Sequence, residues 1–225
     1  MSKAPIAVAL DGPDLATISA WATAVAPHVS TLKVGLETYL RYGAEAIDAV
    51  RATGCQLFLD LKLHDIPNTV GGAARSIAHF APTYLTVHAL GGADMIAAAA
   101  KELPDTRVTA VTILTSMDEE ALRSIGINDT ALDAAVRLAK LAVGAGARAI
   151  VCSPQEVAAI RAAVSADIHL ITPGVRPAGA DAGDQKRIAT PEQAIADGAD
   201  VVVIGRPITG AADPGQAAAA IGAAL

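Results

Sequence analysis

The sequence predicts a protein of the α/β class, a single (β/α)8 (TIM) barrel formed by residues 1–225. Short runs of aliphatic and β-branched residues alternate with Ala-rich segments of helical periodicity along the whole chain. The alternation repeats eight times, about once every 28 residues, as in a parallel sheet with crossover helices. The length of 225 residues also lies within the about 200 to 250 residues of an ordinary barrel.

The predicted strands are apolar runs too short to form helices, and turn residues separate them from their neighbours. Such runs suit strands that are covered on both faces, as the strands of a parallel barrel are. In chain order they are 6–10, 31–35, 56–61, 84–87, 108–114, 149–152, 168–171 and 201–204.

The predicted helices lie between the strands and draw most of their residues from the strong helix formers. No change of composition marks a domain boundary. Two connections, 115–129 and 172–190, are longer than ordinary strand-to-helix turns, and loops of that size tend to be functional. The helices are 15–26, 44–52, 68–80, 95–103, 132–143, 156–164, 192–196 and 216–225.

Composition excludes several classes of function. A formal net charge of −6 argues against a general nucleic-acid or anionic-membrane surface, so any phosphate site must be local. The two cysteines, Cys55 and Cys152, lie far apart beside predicted buried strands, and we interpret them as small core residues. The chain has no signal-peptide pattern and no apolar run of about 18 residues, so we expect a soluble, cytoplasmic protein.

The stretch 57–70, LFLDLKLHDIPNTV, places charges in an otherwise apolar strand. Because side chains alternate along a strand, Asp60 and Lys62 are expected on one face. Asp65 follows the strand, ahead of Pro67, in the position of a first helical turn. An ion pair at a strand end would explain Asp60 and Lys62 taken alone.

Lys33 lies in the preceding predicted strand, which should pair with the strand of Asp60. It could be an ordinary strand lysine that extends its charge to solvent. Beside Asp60 and Lys62, however, it predicts an alternating network, with Asp65 as a fourth member if the geometry allows. Alternation keeps each group ionised. A lysine held positive in this way can act as an electrostatic partner and a proton donor.

Polar residues follow other strands at the same, carboxyl end, where barrel enzymes carry their chemistry. Gly174 and Gly205 follow strands seven and eight, where barrels commonly bind phosphate, and Arg206 would add a forked cation. Arg206 could instead be a surface cation. Arg176 and Gln185 lie in the long loop and could close over a ligand. The remaining strand-end residues are Asp11, His88, Thr115 and Ser116.

The five histidines do not predict a metal site, because no two have the spacing of metal ligands. We interpret His28, His79 and His169 as packing or surface residues. His64 and His88 are expected near the site without acid–base roles. Asp60 and Asp65 would make a poor metal site with Lys62 between them.

The motif 60–69, DLKLHDIPNT, resembles the signature of the orotidine 5′-phosphate decarboxylase family, in its shorter bacterial branch. The likeness covers nearly the whole chain and continues, in order, through five further motifs and the first strand end. These are 9–11 (ALD), 32–35 (LKVG), 111–117 (VTILTSM), 172–176 (TPGVR), 183–187 (GDQKR) and 203–207 (VIGRP).

The resemblance implies a cofactor-free decarboxylation of orotidine 5′-monophosphate to UMP, the last step of de novo UMP synthesis, with no metal. Lys62 would protonate C6, Asp60 would face the substrate carboxylate, and Lys33 would link the network to the ribose. The resemblance also implies a homodimer. Asp11 would hold the ribose hydroxyls, and Thr115 or Ser116 the pyrimidine edge. The phosphate or its lid would be held by Arg176, Gln185, Gly205 and Arg206, and Pro173 would also bind substrate. Three residues would reach into the site of the partner subunit: Asp65, Ile66 and Thr69.

Two alternatives remain open. A related barrel that decarboxylates or isomerises sugar phosphates could carry a similar Asp-x-Lys-x-x-Asp stretch, but it would need a metal ion. Residues 66–69 and the Thr115–Ser116 pair favour the nucleotide. A silent nucleotide-binding protein would keep the phosphate site without the chemistry, and the intact charged residues argue against it.

Overall fold

The computed structural model describes residues 3–176 and 189–225, and its eight parallel strands close into a barrel in sequence order. The predicted fold class is therefore confirmed. Each strand pairs with its neighbours along the chain, and the first strand pairs with the last. The strands are β1 (Ala4–Ala9), β2 (Val29–Gly35), β3 (Gln56–Leu63), β4 (Tyr84–His88), β5 (Arg107–Val111), β6 (Ala149–Val151), β7 (His169–Thr172) and β8 (Val201–Ile204).

The helices surround the barrel, and every helix predicted from the sequence is present. Within the described ranges, three further short α-helices, α2, α6 and α10, were not predicted. The set is α1 (Leu15–Val25), α2 (Leu36–Tyr42), α3 (Ala44–Arg51), α4 (Pro67–Ile77), α5 (Ala93–Glu102), α6 (Glu119–Ser124), α7 (Ala131–Gly144), α8 (Val157–Ala163), α9 (Pro191–Ala196), α10 (Arg206–Thr209) and α11 (Pro214–Gly222).

Local side chains fix where several helices begin. The carboxylate of Asp14 accepts a hydrogen bond from the Thr17 N–H at 2.7 Å, which caps α1. Thr130 and Asp213 cap α7 and α11 in the same way. A side-chain acceptor satisfies one of the backbone N–H groups that the first helical turn leaves without a partner.

Apolar residues fill two separate regions. The larger lies between the outer face of the sheet and the helices, and consists mainly of Ala, Val, Ile and Leu. The smaller lies inside the barrel and is closed by Phe58 and Tyr84, whose rings meet edge to face at a centroid distance of 5.6 Å. Because this interior is packed with side chains, a ligand can be accommodated only toward the ends of the strands.

Strand bounds differ from prediction where they bear on the site. β5 ends at Val111, so the predicted strand 108–114 was three residues too long, and Thr115 and Ser116 lie in a turn beyond it. The predicted long loop 115–129 contains α6. Asp65 lies past the end of β3 and ahead of Pro67, as expected, and Pro67 is the first residue of α4. Among the described residues, no helix is long and apolar enough to cross a membrane.

Candidate active site

Lys33, Asp60 and Lys62 meet at the carboxyl end of the barrel, as the sequence predicted. The Asp60 carboxylate lies between the two ammonium groups, with Oδ1 at 2.8 Å from Lys62 Nζ and Oδ2 at 3.4 Å from Lys33 Nζ. The side chains of Lys33 and Asp60 are 9% and 13% exposed, whereas that of Lys62 is 30% exposed. Lys62 is therefore the most accessible charge of the three.

Asp11 extends this network on the side of β1. Its carboxylate lies 3.8 Å from Lys33 Nζ. Gly35, at the end of β2, leaves room for both groups, since a Cβ atom there would lie 2.7 Å from Lys33 Nζ and 2.9 Å from Asp11 Oδ1. A side chain at position 35 would displace one of these charged groups, so glycine here leaves the network undisturbed.

The backbone of Lys62 adopts an uncommon conformation. Its φ angle is +48°, in the left-handed region that residues other than glycine rarely adopt. The strand alternation expected between Asp60 and Lys62 is therefore interrupted at Lys62. Their charged groups nevertheless meet, because the Lys62 side chain turns back to the Asp60 carboxylate.

The pKa of the Asp60 carboxyl is lowered despite its burial. Burial is the largest single influence and by itself would raise the pKa. The positive charges of Lys33 and Lys62, with hydrogen bonds from Lys62 and Thr86, outweigh it. Asp60 is therefore ionised at neutral pH and holds two cations beside one cavity.

The cavity has a volume of about 210 Å³ and is mostly apolar, with the charged groups along one wall. A dry wall opposite fixed charges strengthens their interaction with a bound ligand. Thr115 and Pro173, two residues expected at the site, also border it. The lining residues are Lys33, Phe58, Asp60, Lys62, Val111, Ile113, Leu114, Thr115, Val151, Cys152, Pro173 and Val203.

Comparison with known proteins gives a consistent result for the whole chain. Residues 4–221 match the model of the "Orotidine 5'-phosphate decarboxylase / HUMPS family". The chain belongs to this family. It is 67% identical over 223 residues to the orotidine 5′-phosphate decarboxylase of Thermobifida fusca (strain YX), covering 99% of this chain and 96% of that protein.

Other similar proteins agree. The orotidine 5′-phosphate decarboxylase of Anaeromyxobacter sp. (strain K) is 56% identical over 221 residues, covering 98% of this chain and 97% of that one. The crystal structure of the decarboxylase from Lactobacillus acidophilus superposes with a TM-score of 0.86 at 35% identity, and 99% of each chain is covered. The resemblance recognised in the sequence motifs is thereby confirmed.

Asp65 does not join the charged network within this chain. Its side chain is exposed and accepts a hydrogen bond from the Ile66 N–H at 2.6 Å. Within the ranges 3–176 and 189–225 it forms no ion pair, so the geometry does not make it a fourth member within one chain, and its place in the partner's site stays a prediction. Ile66 is 66% exposed and Thr69 is also exposed. This part of the family motif faces outward.

The residues expected to bind phosphate lie after β7 and β8, at the same end of the barrel. Gly205 precedes α10, and Arg206 is its first residue. Arg176 Nη1 donates to the Val175 carbonyl at 2.8 Å, and the Arg176 N–H donates to Ala189 at 2.9 Å, joining the two ends of the long loop. Gln185 lies outside the described residues.

The sequence reasoning missed part of the site. Thr86, in β4, hydrogen-bonds to Asp60 and Lys62. Cys152 is buried, as predicted for a core residue, but it also lines the cavity. A threonine or a cysteine inside an apolar strand gives no signal by itself. The position of Cys152 as the last residue of a predicted strand was the available clue.

Ser116 is exposed, in the turn that follows β5.

His64 and His88 lie beside the network without lining the cavity. The centroids of their rings lie 5.4 Å apart. The pKa of His88 is lowered, first by burial and then by the charges of His64 and Lys62. Among the described residues, no group of three or more His, Cys, Asp or Glu side chains is arranged to hold a metal ion.

Proposed function

We propose that this chain decarboxylates orotidine 5′-monophosphate to UMP and CO₂, the last step of de novo UMP synthesis, without a cofactor. The observation that carries the proposal is the Lys62 ammonium, held 2.8 Å from the buried Asp60 carboxylate at the wall of an apolar cavity. Membership of the decarboxylase family supports the choice of substrate.

The chemical problem is the negative charge that develops on C6 of the pyrimidine. When the bond between C6 and the carboxylate breaks, CO₂ leaves and the electron pair stays on C6. A fixed ammonium beside C6 stabilises this charge and then supplies the proton that C6 takes up. Lys62 suits both tasks because it is the more exposed of the two lysines and borders the cavity.

Asp60 and Lys33 have supporting roles in this proposal. Asp60 holds the Lys62 ammonium in place by a hydrogen bond of 2.8 Å. It lies against the substrate carboxylate, which its negative charge repels more in the ground state than in the transition state. Lys33 connects Asp60 with Asp11, which suits contacts to the ribose and its hydroxyl groups. Thr115 borders the cavity and, with Ser116 in the same turn, would contact the pyrimidine edge.

The phosphate would bind at the ends of β7 and β8, away from the reacting carbon. Gly205 allows close approach of the backbone, and Arg206 and Arg176 offer cations. Pro173 borders the cavity on this side, and Gln185 is proposed as a lid residue. Binding energy from a remote phosphate can be used to orient the base and close the site.

We also propose a homodimer in which Asp65, Ile66 and Thr69 complete the site of the partner subunit. The support is that these three side chains point outward in one chain, and that Ile66 is a large apolar residue 66% exposed. Leu40, on α2, is 80% exposed. Burial of these side chains in a dimer interface would remove their apolar surface from water.

The direct test follows the ultraviolet absorbance of orotidine 5′-monophosphate during incubation with purified protein in excess EDTA. Wild type is expected to turn over, and Lys62→Ala to lose at least about 10³-fold in kcat/KM, because it lacks the proton donor. Lys101→Ala, at an exposed position on α5, is the matched control and should retain wild-type activity.

Each alternative predicts a different result. A metal-dependent sugar-phosphate enzyme would be inactive in EDTA and would regain activity with magnesium and sugar phosphates. A silent binding protein would bind UMP in calorimetry without turnover. Either result from folded wild-type protein would overturn the decarboxylase proposal.

The shared site is tested with two inactive variants, Asp65→Ala and Lys62→Ala. Mixed dimers contain one site in which both side chains are native, so activity should return to about one quarter of wild type after complete exchange, the statistical value for one native site in half of the dimers. Absence of recovery, with subunit exchange verified by mass spectrometry, would contradict the shared site.

Two further expectations from the sequence remain predictions. They are a single domain spanning 1–225 and a cytoplasmic location.

A further inference from the structure

Thr86 occupies an unusual place between two strands. In the pairing of β3 with β4, Leu59 lies opposite Leu85 and Leu63 lies opposite Val87. Three residues of β3, 60–62, therefore correspond to the single residue Thr86. Such bulges redirect side chains and are frequent beside active sites. The irregularity falls on the two residues that carry the charged network.

The Thr86 hydroxyl makes a hydrogen bond to each end of this bulge. Oγ1 accepts from the backbone N–H of Lys62 at 2.8 Å and donates to Asp60 Oδ1 at 3.0 Å. One hydroxyl can do both, since it carries one proton and two lone pairs. Thr86 is fully buried, so water cannot easily replace it.

Both hydrogen bonds act on features that the site needs. The first holds the backbone of Lys62 at its φ of +48°, a conformation that persists only where surrounding contacts enforce it. The second fixes the Asp60 oxygen that also accepts from Lys62 Nζ at 2.8 Å. Thr86 therefore touches the backbone of the lysine and the carboxylate that aims its side chain.

We propose that Thr86 is a positioning residue for the proton donor, setting the directions of Lys62 and of the Asp60 carboxylate through one buried hydroxyl. The inference rests on the decarboxylase function proposed above. Thr86 would not contact the reacting atoms. It acts through Lys62 and Asp60, so its loss should lower kcat more than it raises KM.

The test compares two substitutions with a control on the next strand. Thr86→Val keeps the shape and removes both hydrogen bonds, while Thr86→Ser keeps the hydroxyl. Thr109→Val is the matched control, because Thr109 pairs with Thr86 across β4 and β5, is equally buried, and donates to the Arg107 carbonyl instead of the network.

We expect Thr86→Val to lose about 10- to 100-fold in kcat, as for a misplaced catalytic group, with KM changed by less than about threefold. Thr86→Ser should keep at least about a third of wild-type kcat, since the hydroxyl remains. Thr109→Val should match wild type. A Thr86→Val kcat equal to that of Thr109→Val, or equal losses in the Ser and Val variants, would overturn the proposal.

A second measurement does not depend on turnover. In protein with ¹³C-labelled aspartate, the Asp60 carboxyl resonance, assigned with Asp60→Asn, should titrate at higher pH in Thr86→Val than in wild type, because a hydrogen bond to the ionised form is lost. The other charged groups near Asp60 are unchanged in the variant: Asp11, Lys33, Lys62, His64 and His88.

The two readouts separate the proposals. Wild type without turnover would contradict the decarboxylase function, while the Asp60 titration would still decide the role of Thr86. An unshifted titration would overturn that role, whatever the activity. If Thr86→Val does not fold, Thr86→Ala and Thr86→Ser form the deciding pair, with the same expected order of kcat and of Asp60 titration.

Discussion

The two ends of this barrel both carry buried or half-buried charges, but the charges have different partners. At the amino ends of β7 and β8, Arg161 pairs with Asp200. At the carboxyl ends of β2 and β3, Lys33 and Lys62 pair with Asp60. Their places in the sequence differ, since Arg161 lies on α8 and Asp200 directly precedes β8, whereas Lys33, Asp60 and Lys62 lie within strands.

At the amino end, the protein itself satisfies the charged groups. The Arg161 guanidinium donates to the carbonyls of Gly198 and Ile168 as well as to Asp200. Asp200 Oδ2 also accepts from the Leu170 N–H at 2.7 Å. These contacts join α8, β7 and the residue before β8, so the pair holds the framework together.

At the carboxyl end, two ammonium groups share one carboxylate and face a cavity. Lys62 Nζ keeps donor capacity for a ligand, since an ammonium has three protons and Asp60 takes one. The two sets therefore differ in partner saturation and in whether a cavity adjoins the charged group. We expect this difference, and not burial alone, to distinguish a structural charge from a functional one.

The largest expected effect is at the carboxyl end. Asp60→Asn keeps the shape of the side chain but removes the charge between the lysines. We expect kcat/KM to fall about 10³-fold, or about 4 kcal/mol of transition-state stabilisation, because the electrostatic arrangement of Lys62 is lost. Initial rates measured by absorbance test this, with circular dichroism to verify folding. A loss below tenfold would contradict the distinction.

A variant at the amino end of the barrel should lose stability and keep its catalytic activity. Arg161→Met removes the hydrogen bonds to Gly198, Ile168 and Asp200, and we expect the free energy of unfolding to fall by about 2 to 3 kcal/mol. The half-exposed positions of both side chains limit the effect. Urea unfolding measures it, and kcat/KM should stay within about twofold of wild type.

The control for this variant is Arg123→Met. Arg123 forms an exposed pair with Glu119 at 3.5 Å, one helical turn apart, and such a pair contributes at most about 0.5 kcal/mol. Equal losses in the two arginine variants would mean that partner saturation has no influence on stability.

The smallest expected effect is a pH dependence at the amino end. The pKa of His169 is lowered, first by burial and then by the charge of Arg107, with Arg161 adding to this and Asp200 opposing it. Nδ1 of the His169 ring shares a hydrogen bond of 3.0 Å with the Tyr84 hydroxyl. As pH falls below about 6.5, the unfolded chain binds this proton before the folded one, so stability decreases.

Urea midpoints between pH 7.5 and pH 5 measure this loss, and His169→Asn should show a shallower slope than wild type. Between pH 7.5 and pH 9 the imidazole is neutral in both states, so the two proteins should give parallel curves there. Parallel curves across the whole range would show that His169 does not contribute.

Much of the fold could be predicted from sequence because its signals are local. Alternating apolar runs and helical periodicity gave all eight strands, and the charged motif in β3 with Lys33 in β2 gave the centre of the site. α2 and α10 escaped prediction since each is short and directly follows a strand-end glycine. The periodic signal needs more turns than they contain.

The remainder was decided by tertiary structure. The residues of β3 and β4 that meet around Thr86 are 24 and 26 positions apart in sequence, and a bulge changes which residues face each other. The positive φ of Lys62 and the placement of Cys152 at the cavity also follow from packing between strands. The sequence by itself determined which charges gather at one end of a barrel. The register between strands determined the directions of these charged side chains. It could not be predicted from the sequence, because hydrogen bonds between residues far apart in the chain leave no local pattern.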